Sequence, residues 1–189
     1  GADRAPPEPI LRDIRTIENR DALIEWDERV LERDETGAPV SRWDGETTKP
    51  HPVTGKPVPD EAARVEVYRY VNPRAAKWPS ADFIVGNPPF IGSKRMRSVL
   101  GDTYVDAVQR ALPAVPDATD FVLRWWHLAA QVVGKGETRR AGLICTNSIY
   151  QAYNRRIVEQ HLSSSHGKVS IIFAIADHPW VDEKDRSEE

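Results

Sequence analysis

The residues best suited to do chemistry are four consecutive ones, Asn87, Pro88, Pro89 and Phe90. The two prolines fix φ and remove two backbone donors, so the Asn87 side chain and the neighbouring carbonyls form a rigid set of acceptors. We expect the Asn87 side-chain oxygen and the Pro88 carbonyl to accept the two hydrogens of an NH2 group on a planar ligand, with Phe90 stacked on the ring. The alternative is a proline-rich turn in which Phe90 fills the core.

The segments around this motif predict the strands and helices that must position it. Residues 81–86 form a continuous apolar run between turn residues, which is typical of a strand buried on both faces. The other predicted elements are two strands, 141–146 and 169–175, and three helices, 102–112, 119–133 and 149–162. Strands that alternate with helices indicate an α/β fold with a mainly parallel sheet and flanking helices. In such sheets ligands bind beyond the carboxyl ends of the strands, which is where residue 87 falls.

The first 80 residues show a less regular pattern. Residues 10–27 predict a short strand, a polar turn and the start of a helix. Residues 28–80 are rich in Pro, Gly, Thr and charge, which predicts an irregular stretch interrupted by a short amphipathic piece at 61–71. A stretch of this length inside a compact domain is usually a functional excursion or a mobile insert.

Composition excludes several classes of protein. The 189 residues carry a net charge of -3 and 40% hydrophobic side chains, which indicates a globular domain rather than a stand-alone nucleic-acid-binding module. The single cysteine, Cys145, excludes an intramolecular disulfide, and the five histidines lack metal-site spacing. No apolar run reaches the roughly 20 residues that span a bilayer, and residues 1–9 lack the apolar core of a signal peptide. We expect a cytoplasmic protein with no metal and no membrane partner.

The motif and its flanks resemble one enzyme family. Asn-Pro-Pro-Phe after a strand resembles the catalytic motif of amino-methyltransferases, most often those that methylate adenine N6 in DNA. Longer runs extend the likeness: YVNPRAAKWPSADFIVGNPPFIGSKRMR, AGLICTNSIYQAYNRR and FAIADHPWVD. Together they are similar to the methyltransferase region of MmeI-like restriction–modification proteins, single chains that combine nuclease, methyltransferase and target-recognition parts. The resemblance covers residues 10–27 and 68–182.

The resemblance implies the C-terminal part of a Rossmann-like fold that uses S-adenosylmethionine as its methyl donor. It implies that Asn87, Pro88, Pro89 and Phe90 form the catalytic loop, where two acceptors localise the lone pair of the adenine amine for in-line attack on the sulfonium methyl. Because this amine is inaccessible within a duplex, the implied partner is double-stranded DNA with its target adenine flipped out.

The resemblance also implies residues around the cofactor. Asp21, followed by Ala22, is similar to the acidic position that accepts a hydrogen bond from the cofactor's adenine amino group; the alternative is a helix N-cap. Asp120 and Phe121 are similar to a position near the cofactor and the catalytic loop. The alternatives are an N-cap carboxylate for Asp120 and a core ring for Phe121.

Three cations follow the motif: Lys94, Arg95 and Arg97. Beside a flipped-base pocket these side chains would contact DNA phosphates. A run of charge is otherwise a solvated helix face, and the sequence leaves both interpretations open.

Elements that the family uses for cofactor binding are missing from the sequence. It contains no Gly-rich turn of that kind, and only 20 residues precede Asp21. We therefore expect a fragment of three regions: the end of a cofactor-binding half at 1–30, an irregular Pro/Gly-rich insert at 31–80, and the catalytic half at 81–189. Nuclease and target-recognition parts would lie in the remainder of a larger chain. We expect this fragment alone to be inactive and to bind cofactor weakly or not at all.

Other classes of protein use the same motif chemistry. Related enzymes with this fold methylate a guanine amino group in RNA or a glutamine side chain in protein. A non-catalytic scaffold that keeps the fold, and a structural module in which the motif is only a turn, are the two remaining alternatives.

Overall fold

The computed structural model describes residues 17–163 and 169–176, and this part of the chain folds into short strands and four α-helices. The strands are β1 (Ile24–Glu25), β2 (Glu28–Leu31), β3 (Ser41–Trp43), β4 (Thr48–Pro50), β5 (Pro57–Pro59), β6 (Arg64–Glu66), β7 (Tyr68–Val71), β8 (Arg74–Ala75), β9 (Phe83–Gly86) and β10 (Arg140–Leu143). The helices are α1 (Met96–Leu100), α2 (Asp102–Ala111), α3 (Val122–Gly134) and α4 (Ala152–Ser163), and 3₁₀ turns at Ser93–Arg95 and Asn147–Tyr150 precede α1 and α4. None of these helices is long and apolar enough to cross a membrane.

The predicted strand before the motif and its predicted neighbour form a parallel pair. β9 lies beside β10 with Phe83 opposite Arg140 and Gly86 opposite Leu143. The helices predicted at 102–112 and 119–133 are confirmed as α2 and α3, whose apolar residues recur on one face. The helix predicted at 149–162 is α4, which begins three residues later because a 3₁₀ turn precedes it.

The prediction of a mainly parallel sheet is met only in part. Over the described ranges the strands form five two-stranded sheets, of which β9–β10 is parallel and the other four are antiparallel. The strand predicted at 169–175 does not form, and the side chains of Ile171, Ile172 and Phe173 are exposed there. An apolar run becomes a strand only where a neighbour accepts its backbone hydrogen bonds, and no described strand pairs with it. The fold is therefore mixed α/β with small sheets.

Residues 28–71 form an antiparallel ribbon, so the prediction of an irregular insert is wrong for this stretch. Three strand pairs follow one another outward from the domain: β2 with β7, β3 with β6, and β4 with β5. Aspartates close the turns between them: Asp34 Oδ1 accepts the amides of Thr36 and Ala38 at 2.8 and 3.0 Å. These turns end each strand after three or four residues, so no sequence window shows the period of a strand although the pairing continues along the ribbon.

The helix predicted to start near Asp21 does not form. Asp21 Oδ1 accepts the amides of Leu23 and Ile24 at 2.8 and 2.9 Å, which makes a turn that leads into β1. β1 pairs antiparallel with β8, so its backbone groups are used between strands and not along a helix. Residues 10–16 of the strand predicted here lie outside the described residues.

Two hydrophobic clusters hold the described elements together. The first joins β1 to α1, α2 and α3 through Leu23, Ile24, Met96, Val105, Ala107, Val108, Leu112, Phe121 and Leu128. The second lies between α3 and α4 and consists of Val115, Val122, Leu123, Ile157 and Val158. Fully burying a Leu, Ile or Val side chain contributes roughly 1.5–3 kcal/mol, so α3, which belongs to both clusters, is the main organising helix.

A histidine pair connects α3 to α4. The His161 Nε2 and His127 Nδ1 atoms are 2.8 Å apart, and Trp126 packs edge-on against the His161 ring. Burial, and secondly the His161 ring, lowers the pKa of His127 to about 4. Burial also lowers the pKa of His161. The pair is therefore neutral at pH 7, one ring donating to the other.

We expect the free energy of unfolding to fall as pH falls from 6.5 towards 4. Unfolded His127 gains a proton near its ordinary pKa, whereas folded His127 resists protonation, so stability is present above that range and is lost within it. The expected loss is roughly 2–3 kcal/mol by about pH 4.5. Urea unfolding followed by tryptophan fluorescence measures it, with His127→Leu as the control. An equal loss in both proteins would contradict the assignment to this pair.

Candidate active site

The Asn-Pro-Pro-Phe corner begins where the two parallel strands end. The carbonyl of Gly86, the last residue of β9, accepts a hydrogen bond from the Ile144 amide at 3.0 Å, so Asn87 leaves the sheet beside the chain that follows β10. Pro88 is buried, whereas Asn87 is exposed and Phe90 is 43% exposed. The corner is thus anchored by one proline and leaves the amide and the aromatic ring accessible.

The segment that follows the corner is fastened to the start of α3. The Ile91 carbonyl accepts a hydrogen bond from the Phe121 amide at 2.9 Å. Two residues later the Ser93 amide donates to Asp120 Oδ1 at 3.0 Å. Asp120 and Phe121 therefore fix the segment that follows Phe90, one by accepting a backbone hydrogen bond and the other by donating one.

The Asp120 side chain also binds the segment after β10. Its Oδ2 atom accepts hydrogen bonds from Ser148 Oγ at 2.5 Å and from Asn154 Nδ2 at 2.9 Å. Asn154, which is 2% exposed, accepts the Asp120 amide with its Oδ1 at 2.9 Å and donates to the Ser148 carbonyl at 2.9 Å. We call Ser93, Asp120, Ser148 and Asn154 the Asp120 clamp. It joins the loop after Phe90, the start of α3 and the start of α4.

The Asp120 carboxylate is charged in this setting. Burial on its own raises the pKa of Asp120, but the hydrogen bonds from Ser148, Asn154 and Ser93, together with the Arg124 charge, outweigh burial and hold the pKa below its usual range. Arg124 is 1% exposed and reaches the Asp120 carbonyl at 3.5 Å. The positive charge of Arg124 thus favours the ionised form of Asp120, although burial lowers the pKa of Arg124 itself.

Phe121 lies in the core and links the clamp to Asp21. Its ring is 3% exposed and packs edge-on against Trp125 and Tyr104, with centroids 4.8 and 6.4 Å apart. The Tyr104 hydroxyl donates to Asp21 Oδ2 at 2.7 Å. Burial first, and then the Asp21 charge, raises the pKa of Tyr104. For Phe121 the geometry favours the core interpretation over cofactor contact.

Asp21 and Ala22 lie at a turn that the chain's own groups already stabilise. The Asp21 carboxylate accepts three hydrogen bonds, two from backbone amides and one from Tyr104. Ala22 is exposed, and its carbonyl accepts the Trp78 indole N–H at 2.7 Å. Asp21 is connected to the Asn-Pro-Pro-Phe corner only indirectly, through Tyr104 and Phe121.

The three predicted phosphate-binding cations have different surroundings. Lys94 and Arg95 lie exposed in the 3₁₀ turn directly after the loop. Arg97 in α1 is paired with carboxylates, at 3.1 Å from Asp102 and 2.9 Å from Asp106, with a third 3.8 Å away. Hydrogen bonds that Arg97 donates to Asp102 and Asp106 raise the pKa of Arg97. Arg97 would have to give up these partners before it could bind a phosphate.

No cluster of metal-binding side chains accompanies the corner in the described ranges. No group of three or more His, Cys, Asp or Glu side chains is placed there to hold a metal ion. A cavity of about 210 Å³ lies near the amino ends of β9 and β10, lined by Trp78, Ser80 and Thr138 among others. That is the opposite end of the strands from Asn87, so we assign it no part in this site.

Ser148 and Asn154 belong to the candidate site through their bonds to Asp120, and the sequence reasoning missed both. Ser148 follows β10 closely, at the same sheet edge as Asn87, so the rule that parallel strands share a carboxyl edge points to it. Asn154 lies inside α4, and no sequence signal distinguishes it from a solvated helix residue.

Two parallel strands that end beside an exposed Asn-Pro-Pro-Phe corner form the candidate site, and comparison with protein families gives the class of protein. Residues 12–188 match the family model described as MmeI, DNA-methyltransferase domain. The chain belongs to this family, so the predicted resemblance is confirmed and the chain is a DNA-methyltransferase domain. Comparisons with curated proteins and with solved structures found no match.

Proposed function

We propose that this domain transfers a methyl group from S-adenosylmethionine to the N6 amino group of adenine in double-stranded DNA. The catalytic loop in this proposal is Asn87, Pro88, Pro89 and Phe90. The observation that carries it is the exposed Asn87 amide on a corner anchored by buried Pro88, directly beyond a parallel strand. Family membership supports methyl transfer to DNA, and the choice of an amine rests on the acceptors that this corner offers.

Catalysis by this corner consists of binding and orienting an aromatic amine. The Asn87 side-chain oxygen and the Pro88 carbonyl accept its two N–H groups, and Pro89 has no N–H that could compete for them. These hydrogen bonds favour a pyramidal nitrogen whose lone pair is no longer delocalised into the ring. The accessible Phe90 ring stacks on the base and fixes its angle. Because the amine is paired inside a duplex, the adenine must be flipped out to reach them.

The rest of the reaction follows from the charge on the amine. When bound, S-adenosylmethionine supplies an electrophilic methyl group, so that the N–C bond forms as the C–S bond breaks and S-adenosylhomocysteine leaves. The amine nitrogen is then positive until it releases one proton to water. The Asn87 and Pro88 carbonyl dipoles already face this nitrogen and stabilise the charge as it develops.

The residues considered for cofactor contact fit that role unequally. The half-buried Asp21 carboxylate accepts three hydrogen bonds, which leaves about one of its roughly four acceptor positions for the cofactor's amino group. Ala22 is exposed beside it. The Asp120 carboxylate also accepts three hydrogen bonds, but one of them comes from the Ser93 amide just after the loop, and the Phe121 ring is buried. We therefore assign Asp21 and Ala22 to the cofactor, and Asp120 and Phe121 to positioning the loop.

The cysteine chemistry of a cytosine-C5 enzyme finds no support in this domain. Such an enzyme needs a reactive thiolate as nucleophile, whereas burial raises the pKa of Cys145. Cys145 follows β10 and packs at the margin of the second hydrophobic cluster. A core role fits this residue, and amine methylation fits the corner.

The proposal is tested by finding where the methyl group goes. We expect the intact protein, given tritiated S-adenosylmethionine and duplex DNA, to label the DNA, and nucleoside chromatography to give N6-methyladenine. N4-methylcytosine would keep the amine chemistry and overturn the choice of adenine. Label that appears only in RNA guanine or in protein glutamine would overturn DNA as the substrate. An intact protein that labels none of them would support the non-catalytic scaffold.

A further inference from the structure

We propose that the outer end of the ribbon, residues Thr47–Pro59, is an arm that binds duplex DNA beside the catalytic loop. We call these residues the ribbon tip. The inference rests on the proposed function for the identity of its partner, and it adds a contact surface that lies outside the Asn-Pro-Pro-Phe corner.

The ribbon tip is a preorganised hairpin. β4 and β5 pair from Thr48 opposite Pro59 to Pro50 opposite Pro57. The turn between them is closed by two backbone hydrogen bonds, from the His51 amide to the Lys56 carbonyl at 2.8 Å and from the Gly55 amide to the His51 carbonyl at 2.9 Å. Prolines restrict the unfolded alternatives of such a hairpin, so binding orders little that was not already ordered.

Charge at the ribbon tip suits a polyanion. Residues 47–59 contain Lys49, His51 and Lys56 and no carboxylate, and the flanking acids Glu46, Asp60 and Glu61 lie at the base of the hairpin and not at its apex. Lys49 Nζ lies 3.6 Å from Asp60 and 3.8 Å from Glu61, loose contacts at an exposed site that a phosphate could replace. His51 Nδ1 accepts two backbone amides, so its proton is on Nε2 and is free to be donated.

The apex of the ribbon tip suits a nucleic acid better than another protein strand. Val53, in the turn, is 86% exposed, and two-stranded ribbons are a known means of entering DNA grooves, where apolar side chains contact sugars and base edges. A protein partner that adds a strand needs free N–H groups along an edge. Pro50, Pro57 and Pro59 have none, so strand addition is disfavoured on both edges.

The part of the ribbon just before the tip packs against α1, the helix that follows the catalytic loop. Gly45 packs so closely on α1 that an added Cβ would come within 2.6 Å of the Val99 carbonyl oxygen. The Arg42 side chain packs in the same way over Gly101, between α1 and α2. α1 directly follows the exposed Lys94 and Arg95. The ribbon therefore leaves the domain beside the helix that follows these two cations.

The salt dependence of DNA binding tests the arm. We expect the double variant Lys49→Ala with Lys56→Ala, made in the intact protein, to bind a fluorescein-labelled mixed-sequence duplex about 10-fold more weakly at ~0.1 M salt. The plot of log affinity against log salt should become less steep by about 1–2, because a variant with fewer phosphate contacts releases fewer counterions when it binds. Val53→Glu, at the exposed apex, should weaken binding further without affecting folding.

The matched control is Lys77→Ala with Lys135→Ala, which removes the same charge from exposed positions outside the ribbon. A ribbon-tip variant with the parent's slope, or a control with the same loss, would overturn the arm. If the parent protein methylates adenine in DNA and the ribbon-tip variant binds DNA as tightly as the parent, the role of the arm is refuted and the proposed function stands. If the ribbon-tip variant binds more weakly but the parent yields no N6-methyladenine, the arm stands and the proposed function fails.

Discussion

Replacing Asn87 with alanine in the intact protein is expected to lower kcat for methyl transfer about 10²- to 10³-fold. This is the usual cost of removing one preorganised polar group that stabilises developing charge. KM for DNA and for S-adenosylmethionine should change little, because the interaction strengthens as the amine becomes pyramidal and positive. Since the Asn87 side chain is exposed, the substitution leaves no buried polar group without a partner. Initial rates with a methylatable duplex measure the effect.

Two variants show whether the Asn87 oxygen is responsible. Asn87→Asp keeps an acceptor at the same position and should retain more activity than Asn87→Ala. Gln160→Ala removes an exposed amide from α4 and should behave like the parent. Methylation at the parent rate by Asn87→Ala would remove Asn87 from the mechanism.

Replacing Asp120 with alanine is expected to reduce both stability and kcat. The change leaves the Ser93 amide, Ser148 Oγ and Asn154 Nδ2 without their acceptor, and a partly buried set of this kind costs about 2–4 kcal/mol of unfolding free energy. The loop exit is then fixed only by the Ile91 carbonyl, so kcat should fall about 10-fold or more, because small displacements of reacting groups cost large factors in rate. Chemical unfolding and steady-state kinetics measure the two effects.

An exchange of partners separates positioning from bulk stability. Asn154→Asp alone places two carboxylates against each other, whereas adding Asp120→Asn restores a donor and an acceptor across the 2.9 Å contact. The double variant should therefore recover part of the kcat lost by either single one, with a coupling energy of about 1 kcal/mol.

The stability control for the clamp is Ile157→Ala. Ile157 is buried in α4, the helix that carries Asn154, but makes no hydrogen bond in the clamp. The substitution should lower unfolding free energy by about 2–4 kcal/mol and leave kcat unchanged below the melting range. If kcat falls in proportion to the free energy of unfolding in all of these variants, including Ile157→Ala, the clamp has only a structural role.

Local patterns predicted the positions of the elements nearest the site, but β9, expected to be buried on both faces, leaves Phe83 and Val85 exposed. Helices α2 and α3 could be found because their apolar faces recur within a few residues, and β9 because its apolar run is bounded by turns. The ribbon could not be found in the same way, because its pairs join residues far apart, such as Glu28 with Val71. A window of sequence contains one partner and its turn residues but not the other strand.

The role of Asp120 shows the same limit for a single residue. Its position before a helix suggested an N-cap or a cofactor ligand, yet α3 begins without any side-chain cap and the Asp120 carboxylate faces Ser93, Ser148 and Asn154. These partners come from three segments that only the tertiary fold brings together. Sequence could predict that a carboxylate here matters, but not which groups it binds.

The clamp reaches 27 residues back along the chain to Ser93 and 34 residues forward to Asn154. On the ribosome the Asn-Pro-Pro-Phe residues therefore emerge well before the helix that completes their fastening. A nascent polypeptide whose α4 is still inside the ribosome carries the motif without the hydrogen bonds that Asn154 makes to Asp120 and Ser148. The segment after the motif is therefore fully fastened only once Asn154 has been synthesised and has docked.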